Sequence, residues 1–139
     1  MPDSLYERLG GKDAIAAVVS DFCARSVADD RIKAKYVKTD ADRLQRMLVD
    51  QICQATGGPC TYTGRDMRQA HAHMGVTAAE FDAQIEVLVS SLERFEVPPA
   101  EREELLELLA PMRGDIVEVE SQETGTPLPD TFQPAASPS

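Results

Sequence analysis

Two imidazoles, His71 and His73 in the stretch MRQAHAHMG, and three thiols, Cys23, Cys53 and Cys60, are the side chains of this 139-residue chain best suited to chemistry near neutral pH. Residues two apart on a helix point about 200° apart, so His71 and His73 cannot both face one site if their segment is helical. A zinc site built on both imidazoles is thereby excluded, and no acidic or cysteine cluster supplies tetrahedral spacing around either one. A hydrolytic triad can be drawn on paper from Ser20, His71 and Asp66, but nothing resembles a nucleophile elbow around Ser20. A lone helical histidine is, by itself, a surface or satisfied core residue, so its context decides. The cysteines form no CxxC pair and are odd in number, so structural disulfides are not expected, and Cys23 and Cys53 read as small buried apolar residues.

The elements that position these groups follow from apolar spacing. Ile15, Val18, Val19, Phe22, Cys23 and Val27 recur as one helical face, which predicts a helix over about 12–28. A shorter segment over 4–9 precedes it, ended by Gly10-Gly11, where the two helices meet at an angle. Leu44, Met47, Leu48, Ile52 and Ala55 repeat the period, with Asp40 as N-cap and Gly57-Gly58-Pro59 as the stop. GPCTYTGRD, residues 58–66, reads as a loop. Phe81, Ile85, Leu88, Val89 and Leu92 mark a third helix opened by a Thr77/Glu80 capping box, and Leu105, Leu108, Leu109, Met112 and Ile116 a fourth over about 99–119. The tail from Glu120 to Ser139 is rich in Pro, Ser and Thr and is expected to be disordered, leaving residues 1–119 as one all-α domain.

Charge narrows the function. The formal net charge of −10 repels phosphate backbones and anionic lipid, which argues against nucleic acid and membrane partners. No apolar run approaches the roughly 18 residues of a membrane span, and MPDSLYERLG lacks the apolar stretch of a signal peptide. The cytoplasm is the expected address.

Several motifs then agree in order and spacing. SLYERLGG, DFCARSVADDRI, GGP at 57–59, YTG at 62–64, MRQAH and GVTAAEFDAQIEVLVSSL followed by VP together resemble the truncated haemoglobins, most closely their first group, over residues 4–117. The resemblance implies a truncated, 2-on-2 globin fold with haem b held between the helix of residues 40–56 and the segment around His71. His71 is then the proximal iron ligand, a role that neutral imidazole suits, and His73 a solvent-facing bystander. Phe22, Met67, Arg68 and Tyr62 are expected around the cofactor, with Tyr62 close to a propionate. Lys35, Arg43, Arg46 and Arg68 could pair with propionates as cations.

On the distal side the chain departs from the family. Where the first group usually places an oxygen-holding tyrosine and glutamine, this sequence has Cys23 and Leu48, and Leu44 takes the other pocket position. Two residues can compensate. Tyr36 stands where a tyrosine in other truncated haemoglobins can donate to the ligand, and Met47 stands where some relatives bind the iron directly. The favoured reading is an open site with Tyr36 as donor. It implies binding of oxygen, nitric oxide or carbon monoxide, with nitric oxide dioxygenase or peroxidase-like activity and a reductase partner as uses of that site. The alternatives are a six-coordinate protein for electron transfer or sensing, closed by Met47, and a haem-free interaction scaffold.

Overall fold

The computed structural model describes residues 4–37, 40–62 and 74–127. Ser4 accepts the N–H of Glu7 and opens α1 (Leu5–Arg8). The chain then reverses through Gly10 and Gly11, with φ of 105° and 83°. A side chain at Gly10 would meet both a strained backbone and the Ala14 Cβ at 2.8 Å. From there α2 (Gly11–Ala28) buries Ile15, Val18, Val19 and Cys23, while Val27 turns outward. A 3-10 helix (Lys33–Tyr36) leads toward α3 (Ala41–Ala55), capped by Asp40, whose carboxylate accepts from the N–H of Arg43.

The expected capping box opens α4 (Ala78–Arg94): Thr77 Oγ1 accepts from the N–H of Glu80, and the Glu80 carboxylate accepts from the N–H of Thr77. Leu5, Val19, Ile52, Leu88, Leu92 and Leu105 close the main core between α2, α3, α4 and α5 (Pro99–Leu109). No strand forms among the described residues, only a single bridge between Thr77 and Val119.

The expected last helix does not run to residue 119. It ends at Leu109, continues as a 3-10 turn (Ala110–Met112) and a short α6 (Arg113–Ile116), and is extended by Val117. Pro111 is the physical cause, because its ring crowds the preceding turn and it has no N–H to donate. The extended chain lies against the entry to α4, where the N–H of Ala78 donates to the carbonyl of Val119 at 3.0 Å.

Residues 121–127, expected to belong to a disordered tail, are instead held by a buried ion pair. Lys35 and Glu80, 5% and 1% exposed, stand 3.4 Å apart. Thr126 donates its N–H and its hydroxyl to Glu80 Oε2, both at 2.8 Å, and Lys35 Nζ donates to the Thr126 and Pro127 carbonyls and to Thr126 Oγ1. Polar satisfaction of two buried charges, which an apolar count of the tail does not register, orders this stretch. A chain ending at Glu120 should therefore lose about 1–3 kcal/mol of stability. Urea unfolding superimposable on that of the full chain would show that the contacts of Thr126 contribute nothing.

Candidate functional site

One face of α3 carries Leu44, Met47 and Leu48, spaced i, i+3, i+4 and all only half buried. Leu44 and Leu48 lean on the main core from its rim, as Phe22 does from α2. Phe22 and Tyr36 also pack on a second small cluster, formed by Ile32, Ala83 and Val87. At the start of the same stretch of α3 the Nε of Arg43 is buried and has no hydrogen-bond partner. A half-buried apolar stripe beside an unsatisfied cationic nitrogen suits a flat apolar group that bears a carboxylate.

Cys23 is buried on α2 next to this region, and burial pushes its thiol up to about 11. It is therefore a neutral, weakly donating thiol at physiological pH rather than a nucleophile. Tyr36 reaches inward, where burial raises its phenol well above the ordinary range. Its hydroxyl donates to Gln84 Oε1 on α4 at 2.8 Å. The resemblance leaves the Tyr36 proton free for a ligand; in the structure that proton is committed to Gln84. No periodicity or motif singles out Gln84, since the two residues are 48 positions apart.

Lys35, expected among the cations around the site, is corrected as well. Its ammonium is consumed by Glu80 and residues 126–127. His71, His73, Met67 and Arg68 lie outside the described residues.

What flanks them is well anchored. At the near end the Tyr62 N–H donates to the Gln54 side-chain carbonyl at 2.7 Å. Two residues earlier Cys60 is joined to Cys53 at the end of α3 by a disulfide, overturning the expectation of unpaired cysteines. The physical reason is the turn at Gly57-Gly58, which folds the chain back so that residues seven apart come within bonding range. Gly58 has no alternative, because any Cβ there would collide with the Tyr6 ring and lie 2.7 Å from Cys53 Sγ. At the far end Met74 and Val76 are buried with Phe81, against Ile85, Ile116 and Val117.

A short closed loop of this kind stabilises by about 2–3 kcal/mol, chiefly by restricting the unfolded chain. Adding reductant should lower the melting temperature accordingly. Under denaturing conditions one thiol should titrate before reduction and three after it. Three thiols in both conditions would remove the disulfide.

Comparison with known proteins finds the chain similar to globins. A family model described as bacterial-like globin matches residues 4–118. A group 1 truncated hemoglobin from Tetrahymena pyriformis is 34% identical over 116 residues, covering 84% of this chain and 96% of the relative. Another, from Mycolicibacterium paratuberculosis, is 34% identical over 115 residues, covering 83% and 85%. Among solved structures, truncated hemoglobin from Tetrahymena pyriformis in the Fe(III) form superimposes with a TM-score of 0.79 at 33% identity, over 83% of this chain and 98% of that one. A 2/2 hemoglobin from Synechococcus in the cyanomet state, with covalently attached heme, gives 0.79 at 32% identity over the same shares.

Proposed function

The chain belongs to the bacterial-like globins as a truncated haemoglobin, which implies haem and diatomic-gas binding, and on that premise we propose a haem b protein with an open distal site. The observation that carries this reading is the half-buried stripe of Leu44, Met47 and Leu48 beside the unsatisfied Nε of Arg43. Porphyrin faces are apolar and propionates are anionic, so the stripe and the guanidinium match both parts of the group. Haem, when bound, supplies an iron that takes oxygen, nitric oxide or carbon monoxide.

The roles of the chain's own residues follow from their chemistry. His71 holds the group from the proximal side, with Met67, Arg68 and Tyr62 beside it. Phe22, Leu44 and Leu48 keep water from the distal face and offer no hydrogen bond. Cys23 offers only a weak one. Met47 serves as apolar lining, a role flexible methionine fills without ligating.

A pocket so poor in donors holds oxygen weakly, which disfavours oxygen transport and also nitric oxide dioxygenase activity, since both need oxygen held on the iron. We therefore extend the proposal to binding of nitric oxide or carbon monoxide, with peroxidase-like chemistry fed by electrons from a reductase as its catalytic use. The acidic surface supports a small-molecule role rather than one on nucleic acid or lipid, and no helix among the described residues is long and apolar enough to cross a membrane. We place the protein in the cytoplasm, where the Cys53–Cys60 pair would face a reducing thiol pool.

Absorption spectra of the purified protein, ferric and ferrous, test the reading. A Soret band with five-coordinate ferrous iron is expected. Absence of haem after reconstitution would overturn the proposal, and a six-coordinate ferrous spectrum that disappears in M47L would replace the open site with a closed one.

A further inference from the structure

Three side chains from three elements form a chain of hydrogen bonds whose direction is fixed by its last acceptor. Ser26 Oγ donates to the carbonyl of Phe22, one turn back on α2, at 2.8 Å. A backbone carbonyl can only accept, so the single proton of Ser26 is spent there and its oxygen must accept from elsewhere. Gln84 Nε2 fills that place at 3.0 Å. With its nitrogen turned to Ser26, the amide of Gln84 presents Oε1 to Tyr36, and Oε1 can only accept. The phenol must therefore donate to Gln84, which it does at 2.8 Å. Ser26 is buried, so water does not compete for its hydroxyl.

We propose that Gln84 is a positioning residue for gas binding, one that withdraws the Tyr36 proton from the distal pocket. The proposal rests on the reading of the pocket given above. A ligand beside Tyr36 meets lone pairs of the phenol oxygen rather than its O–H, next to the neutral Cys23 thiol. The hydrogen bond that would slow oxygen release is thereby spent inside the protein. Gln84 thus selects for ligands that need no donor, nitric oxide and carbon monoxide, over oxygen, which gains most from one.

The test is Q84L, which keeps the volume of the side chain and removes the acceptor. Ser26 is the other internal partner of the phenol, so Q84L is combined with S26A; Tyr36 then has no internal partner and turns its hydroxyl to the ligand. Oxygen dissociation from the holoprotein should slow by about tenfold, the factor expected for one hydrogen bond to a partly charged atom. The C–O stretch of the carbon monoxide form should move to lower frequency. Both changes should vanish when the double variant is made on a Y36F background, which a general loosening of the pocket would not produce.

S26A alone offers the same readouts with Gln84 still in place as a partner of the phenol. Once Ser26 no longer fixes the amide, Gln84 can turn its nitrogen toward Tyr36 and free the proton, so the shifts should keep their sign at smaller size. Ultraviolet Raman difference spectra of tyrosine against Y36F should report loss of the internally donated bond when Q84L is combined with S26A, in protein without haem or with unliganded haem. Haem bound but neither dissociation nor stretch altered in the double variant and in S26A would overturn the inference alone. An unsubstituted protein without a Soret band would overturn it together with the proposed function.

Discussion

H71A is expected to purify with little or no haem and to retain added haem at least tenfold more weakly than the unsubstituted chain, whereas H73A should give an unchanged spectrum. The asymmetry is what a helical segment at this place, as the resemblance implies, would impose: with one imidazole on the iron, one two residues along points about 200° away from it. The remaining contacts expected for haem are apolar packing and propionate pairing, neither of which supplies a bond to the metal. Added imidazole should partly restore the proximal coordination of H71A in the Soret region. Equal loss of haem in the two variants, or loss in H73A alone, would remove His71 from the proximal position.

E80L should be the most damaging substitution away from the haem. It strips the carboxylate paired with the buried Lys35 ammonium, and it deprives the N–H groups of Thr77 and Thr126 and the Thr126 hydroxyl of their acceptor. Removing one partner of a buried pair costs about 3–5 kcal/mol, because the other charge stays desolvated and uncompensated. K35M on the E80L background should recover part of that loss by replacing a stranded charge with apolar volume. Urea unfolding of the single and double variants decides the matter. A loss below 1 kcal/mol in E80L, or a double variant no more stable than E80L, would show that the pair does not act as a unit.

Local rules made much of the helical frame legible. Asp40, the Thr77/Glu80 capping box and the paired glycines at 10–11 each act within a turn of where they stand in the chain, so α2 and α3 and the start of α4 could be bounded nearly to the residue. Apolar period misled at the last helix. Met112 and Ile116 keep the spacing of a helical face although Pro111 breaks the backbone just before them. Other features depend on encounters that spacing does not encode. Cys53 and Cys60 meet only because Gly57-Gly58 turns back on α3. Tyr36 and Gln84 meet because a 3-10 turn and α4 share one small cluster. The resemblance named the pocket positions but not the fate of the Tyr36 proton, which depends on the direction of a hydrogen-bond chain ending at a carbonyl.

The clasp of Thr126 on Lys35 and Glu80 also has a consequence for biosynthesis. Lys35 leaves the ribosome 91 residues ahead of its partner Thr126, and Glu80 leaves 46 residues ahead of it. Throughout that interval α2, α3 and α4 can assemble on their apolar faces, while the two charges can be only partly desolvated. The nascent protein thus completes its frame before its ionic lock, and a pause in translation after residue 120 would hold it in a looser form open to proteases and chaperones.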